Sequence, residues 1–236
     1  MLPSELQRIV AEKHVDIYCA AGPRIEKVRK LFAAFKDKKK VLDVGCADGS
    51  ILAPFAKTHE LHGVDISEGL AAKARKFGIQ VVVHDLETKP LPYPDKTFDV
   101  VFSGETIEHH VDTDWMLSEL NRVLKPGGIL ILTFPNIRTV LSVGMMLLLD
   151  LPPMYAARYR APHYRDFTLR TIKMALQNHG FALQKSIGSS FFLPKIGECG
   201  SWLATFFPSW SNTTIVVSVK NRDSVYSAEA AMGELC

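Results

Sequence analysis

The stretch from Lys40 to Gly49, Lys-Val-Leu-Asp-Val-Gly-Cys-Ala-Asp-Gly, constrains this chain more than any other. An apolar run (Val41, Leu42, Val44) enters a glycine-containing turn, and Ser50 to Lys57 beyond it reads as helical. A buried parallel strand hands over to a helix in this way in an open α/β sheet. Ligands of such sheets sit outside the carboxyl ends of the strands. Gly45 and Gly49 are not spaced as in the G-x-G-x-x-G dinucleotide fingerprint, and Asp43 puts a carboxylate where a pyrophosphate cradle avoids one. A phosphate is therefore a poor guest, whereas an acid beside a glycine turn suits a cationic ligand.

Asp43, Gly45 and Gly49, with Ala47 between the glycines, resemble motif I (D/E-x-G-x-G-x-G) of the class I S-adenosylmethionine (SAM) methyltransferases. Ala47 departs from the motif, whose central glycine lets the backbone approach the methionine part of SAM and tolerates positive φ. Alanine is the smallest replacement. The likeness runs from Lys40 to about Ser189 and includes the run Leu91 to Val101 and the passage Asn121 to Asn136. It implies an α/β, Rossmann-like fold: a seven-stranded, mostly parallel sheet with helices on both faces and an antiparallel last strand. An N-terminal helical cap over 1–39 is expected before the SAM-binding domain at 40–220, with a lid inserted at 137–166 after the fifth strand. Residues 221–236 are expected to form a flexible tail.

The composition admits this. With 236 residues, 47% hydrophobic and 22% charged, the chain is sized for one packed α/β domain. A net charge of +3 is too mild to indicate nucleic acid. The basic residues between Arg24 and Lys40 read as a solvated helix face and linker. Cys19, Cys46, Cys199 and Cys236 have neither C-x-x-C pairing nor disulfide-framework spacing, and the start lacks a signal-peptide pattern, so a cytoplasmic protein is expected. Thr139 to Leu151 is the most apolar segment but falls short of a membrane span.

Periodicity places the remaining elements. Leu2 to Phe35 reads as two helices broken at Gly22 and Pro23. Strands are expected at Leu61–Ile66, Ile79–Val83, Phe98–Phe102, Ile129–Phe134, Phe181–Ile187 and Thr213–Val219, the last antiparallel by the family resemblance. Helices are expected at Glu68–Phe77, capped by Ser67, and at Thr168–Asn178, with Gly180 as its C-cap. A third is expected over Asp114–Leu124, with Trp115, Leu117, Leu120, Val123 and Leu124 buried and Lys125 to Gly128 ending it.

Asp65 lies about twenty residues beyond the glycine turn, at a strand tip where one carboxylate can accept both hydroxyls of an adenosine ribose. The resemblance implies that Asp85 and Leu86 meet the adenine. It assigns the cofactor site to Asp43, Gly45, Cys46, Ala47, Asp48, Gly49, Asp65, Ile66, Asp85, Leu86, Gly104 and Glu105, with Tyr18 closing over it or packing in the core. The product would be S-adenosylhomocysteine.

Beside the expected methyl-transfer centre stands Ser-Gly-Glu-Thr-Ile-Glu-His-His, residues 103–110. Methyl transfer is a direct displacement that needs alignment and, for hydroxyl acceptors, removal of a proton. His109 is the expected general base, with Glu108 and His163 beside it. The Glu-x-x-Glu-His spelling resembles the ubiquinone-biosynthesis O-methyltransferases and the small-RNA 2′-O-methyltransferases, in which such a cluster is associated with a metal; here that would be Glu105, Glu108, His109 and His163. The lid passage more resembles MetW-like sequences, in which no metal is established, and the metal-free reading is preferred. A third role is a polar strand end that helps to position SAM.

The expected reaction is methylation of an O or N atom of a small, apolar molecule, with nucleic acid not expected as partner and the chain a monomer or homodimer. The alternatives are a SAM-binding regulatory partner without catalysis and an RNA 2′-O-methyltransferase. Val140 to Leu149, with Arg138, Arg158 and Arg160, also suits contact with a membrane surface.

Overall fold

The computed structural model describes residues 4–6, 8–9, 22–151, 163–193 and 197–225. Helix α1 (Pro23–Ala33) begins where Gly22 and Pro23 interrupt the chain, with proline in the first turn, where its missing N–H costs nothing. Strand β1 (Lys40–Val44) follows, then β2 (Glu60–Asp65), α2 (Glu68–Arg75), β3 (Gln80–Val83), β4 (Phe98–Gly104) and α3 (Thr113–Val123). After β5 (Leu124–Pro135) come α4 (Val140–Leu149), α5 (Leu169–Asn178) and β6 (Phe181–Gly188). The hairpin β7 (Phe191–Leu193) and β8 (Gly197–Cys199), the short α6 (Ser201–Ala204) and β9 (Thr213–Lys220) follow, with single 3-10 turns at Ile107–His109 and Pro208–Trp210.

Seven strands form one sheet in the order β3-β2-β1-β4-β5-β9-β6. The five strands from β3 to β5 are parallel, and β9 runs antiparallel to both β5 and β6. The order reverses direction between β1 and β4, which is the switch point where an open sheet leaves a crevice.

Alternation along the strands sorts side chains to the two faces. Leu42, Val44, Val101, Leu130 and Leu132 meet Met116, Leu117 and Leu120 of α3 and Ile172 and Leu176 of α5. Val41, Val100, Phe102 and Ile131 meet Val28 and Phe32 of α1 and Ala71 and Ala74 of α2. Each fully buried Val, Leu, Ile, Phe or Met side chain among these contributes roughly 1.5–3 kcal/mol through its removal from water.

Several expectations need correction. Ser50 to Lys57 forms turns and a single 3-10 turn at Ala53–Phe55, not an α-helix. Pro54 lacks an amide donor, and Arg29 of α1 takes the Ser50 and Ile51 carbonyls that a helix would use. In α3 Met116 is buried, whereas Trp115 lies half-buried with its indole N–H donating to the Leu86 carbonyl. Leu124 already pairs with Phe98, and the ladder then jumps to Val100 and Ile129, so Pro126 to Gly128 form a bulge inside β5. The β7–β8 hairpin and α6 were not foreseen.

The cap foreseen at Ser67 is present, its Oγ accepting from Leu70 N, whereas Thr168, expected inside its helix, is the N-cap and forms a reciprocal capping box with Thr171, and His179 rather than Gly180 is the C-cap. Of the expected cap, α1 packs on the sheet through Val28 and Phe32. Its Lys27 ammonium donates to the carbonyls of Gly188, Ser189 and Ser201 and to the Thr205 hydroxyl, latching it to the segment after β6. Of the expected lid, α4 is described, and residues 152–162 lie outside the described residues. At the start of the expected tail, Ser224 N donates to Asn121 Oδ1 and the Ser224 hydroxyl meets His179.

Candidate active site

The site is built at the carboxyl ends of β1, β2 and β4. Asp43 lies in register with Gly63, so pleat alternation puts Asp43 and Asp65 on the same face of the sheet. Asp43 is buried, and its pKa is raised well above the usual carboxylate range, first by burial and then by the charge of Asp65. Asp65 is also raised by burial, against hydrogen bonds that favour its charge. Its Oδ2 accepts from Ala47 N at 2.8 Å and its Oδ1 from Ser67 N at 2.9 Å. Each oxygen keeps a lone pair for a further donor.

Ala47 has φ 47°, in the left-handed region where the family motif carries glycine. The turn keeps its shape without that glycine because Asp65 anchors the Ala47 amide. Gly49 is required sterically as well as by its φ of 73°, since a Cβ there would lie 2.7 Å from Ile79 Cδ1 and 2.8 Å from Ala74 Cβ.

Other residues of the expected cofactor set turn away. The Cys46 side chain is buried in the core against Gly63, and burial first, then Asp43 and Asp65, push its thiol pKa up; only its backbone faces the turn. Asp48 accepts from both the backbone and the hydroxyl of Ser50, closing the loop. Leu86 belongs to the core beside α3, leaving half-exposed Ile66 as the apolar surface next to Asp65. Asp85 is half-exposed at the end of β3, its Oδ1 accepting from Glu87 N. Tyr18 lies outside the described residues.

At the end of β4, a Cβ on Gly104 would strike the Phe102 ring and lie 3.4 Å from Arg24 Nη1. Glu105 follows at φ 54° and points its carboxylate at β5, where Oε1 accepts from Thr133 Oγ1 at 2.9 Å. Burial raises its pKa, while Arg24 and Thr133 oppose the shift. Arg24 also reaches Thr133 Oγ1 at 3.4 Å. Arg24 and Thr133 are site residues that sequence reasoning passed over, because Arg24 was absorbed in a generic basic helix face and Thr133 in an apolar strand.

Glu108, His109 and His163 do come together, their ligand atoms all within 4.8 Å of one another. The two imidazole rings meet edge to face with centroids 4.8 Å apart, and Glu108 Oε1 stands 3.9 Å from His109 Nε2. His163 is brought there because the Tyr164 and Arg165 amides donate to the Glu108 carbonyl. Glu108 is 2% exposed, and among the described residues its Oε2 has no hydrogen-bond partner. Its pKa is raised well above the usual range by burial first and by Glu105 second. Glu105 does not join the triad, because Thr133 holds its carboxylate. His110 sits instead against Glu87, 2.8 Å from Nδ1 to Oε1.

The strand order with its antiparallel β9, and the acid–glycine turn at the switch point, define a class I SAM-dependent methyltransferase fold. Residues 42–132 match the methyltransferase domain family, which together with the fold supports a class I SAM-dependent methyltransferase. It is 29% identical over 153 residues to a probable S-adenosylmethionine-dependent methyltransferase of Mycolicibacterium smegmatis, covering 64% of this chain and 54% of that one. It is 36% identical over 116 residues to the demethylmenaquinone methyltransferase of Symbiobacterium thermophilum, covering 44% of this chain and 46% of that one. A SAM-dependent methyltransferase of Thermotoga maritima has the same fold, with a TM-score of 0.62 and 20% identity over 92% of this chain and 93% of that one. The chain thus spans about half the length of these two curated relatives.

Proposed function

We propose that this protein transfers the methyl group of SAM to an oxygen or nitrogen atom of a small, apolar acceptor by direct displacement. The observation that carries the reading is the placement of Asp43 and Asp65 on one face of the switch-point crevice, joined through the Ala47 turn. Bound SAM supplies an electrophilic methyl on a cationic sulfur. In this reading Asp65 accepts the ribose hydroxyls, Ile66 packs beside the adenine and Asp85 accepts from its amine. Asp43 provides negative charge for the cationic end, and Arg24 faces the carboxylate.

The acceptor is placed at the triad. His109 takes the proton from the acceptor atom as the methyl is transferred, and the imidazolium that results draws the nearby Glu108 carboxyl, whose pKa is otherwise raised, toward its charged form. His163, carried on the returning end of the lid, bounds the same space. Apolar residues of α4 support a greasy acceptor.

A second reading is favoured by the buried, unpartnered Glu108 Oε2. Glu108, His109 and His163 form a carboxylate and two-imidazole donor set that fits a divalent ion. Such an ion would lower the pKa of an acceptor hydroxyl.

Titration calorimetry with SAM and S-adenosylhomocysteine, followed by a labelled-methyl screen against oxygen and nitrogen acceptors, tests the proposal. Binding with transfer supports it. Absence of binding removes the cofactor assignment, and tight binding with no transfer to any acceptor favours a regulatory SAM-binding protein. Activity abolished by chelation and restored by one divalent metal selects the second reading.

A further inference from the structure

Two exposed apolar segments emerge at the acceptor end of the sheet and take no part in the cofactor site. On α4, Met146 to Leu149 face solvent, with Leu148 83% exposed. On α6 and the turn after it, Trp202, Leu203, Phe206 and Phe207 do the same, with Trp202 75% exposed. Both segments spring from one place, since Pro135 at the end of β5 pairs with Thr213 at the start of β9. The Asn136 amide group donates to the Ser209 and Ser211 carbonyls, and the Arg138 guanidinium stacks on Trp210 at 4.5 Å.

We infer that these segments form a docking face for the surface of an anionic lipid bilayer. Charge argues for this occupant. Ile137 to Leu149 and Cys199 to Thr213 contain no acidic residue, and the sequence from Ile137 to Arg165 carries Arg138, Arg158, Arg160 and Arg165 against Asp150 alone. Leucine, phenylalanine and tryptophan flanked by arginine are the composition of surfaces that lie in the headgroup boundary, where basic residues gain from anionic lipid. Among the described residues Arg138, stacked on Trp210, puts a cation at the edge of this apolar surface. The protein lies on the bilayer without crossing it, since among the described residues no helix is long and apolar enough to span a membrane. The face adjoins the strand ends that carry the catalytic groups, so a lipid-dissolved molecule reaches the triad without passing through bulk water.

The inference stands apart from the methyl-transfer reading, because cofactor binding can be measured without lipid. The full chain is sedimented with vesicles of phosphatidylcholine alone and of phosphatidylcholine with phosphatidylglycerol. Binding to the anionic vesicles is expected, with tryptophan quenching by brominated lipid that is lost in Trp202→Phe. The exposed double variants Trp202→Ser/Phe206→Ser and Leu147→Ser/Leu148→Ser should each lower partitioning at least about tenfold through lost apolar burial, with calorimetric SAM affinity unchanged. Equal or absent binding to both vesicle types overturns the inference. So does a dimer in sedimentation velocity that the double variants convert to monomer, since the face would then be covered by a second copy.

Discussion

The backbone amide of Ala47 donates to Oδ2 of Asp65 at 2.8 Å, making the turn after β1 and the acid ending β2 one hydrogen-bonded unit. Asp65→Ala removes both the ribose acceptor and this brace. SAM affinity is expected to fall by ~1.5–3 kcal/mol, the range for charge-assisted hydrogen bonds. Calorimetry that shows unchanged affinity would withdraw Asp65 from the ribose.

The raised pKa of Asp43 predicts a proton linkage. Burial, then the Asp65 charge, favours the protonated acid in the free protein. A group raised in this way stabilises the fold at low pH, and that contribution fades as pH rises through its folded pKa. A cationic donor bound beside it favours the anion, so SAM binding releases a proton and tightens as pH increases toward that pKa. Calorimetry in buffers of different ionisation enthalpy measures the release, which Asp43→Asn should abolish.

At Ala47 the left-handed backbone carries a penalty of about 1–2 kcal/mol for an L-residue. Ala47→Gly relieves it but loses about 0.4–1 kcal/mol through unfolded-chain entropy, so stability should rise by between about 0 and 1.6 kcal/mol. A branched side chain is far less tolerant of positive φ, and Ala47→Val should destabilise clearly in urea melts while weakening SAM binding. Equal stability of the two variants would mean the turn adopts another conformation.

Glu108 combines deep burial with an unpartnered oxygen, a stability cost kept at a place suited to chemistry. Glu108→Met, which replaces the unpartnered oxygen with an apolar group, should raise stability by about 1–3 kcal/mol, the cost of leaving a buried polar group unsatisfied, while methyl transfer falls by at least about tenfold. Thermal melts together with initial rates check both halves. Loss of stability without loss of rate would make Glu108 a structural residue.

Much of this architecture is written locally. The Val41 to Gly49 pattern, the spacing to Asp65 and the cap at Ser67 each follow from short stretches, and the fold keeps them. The misses share a different cause: tertiary partners decided them. Arg29 reaches in from α1 to claim the Ser50 and Ile51 carbonyls, Gly63 opens space that draws Cys46 inward, and Thr133 captures Glu105 from a neighbouring strand. Gly188 to Asn212 lacks a clean period, so the hairpin and the aromatic turn within it left no pattern to read.

The hold of the Lys27 ammonium, whose three N–H donors are shared among four oxygens, has a mechanical corollary. One cation clamps pieces of chain that flank opposite ends of the sequence, so the first helix cannot swing outward without dragging the β6–β9 connection along. Those two regions therefore move as a single jaw.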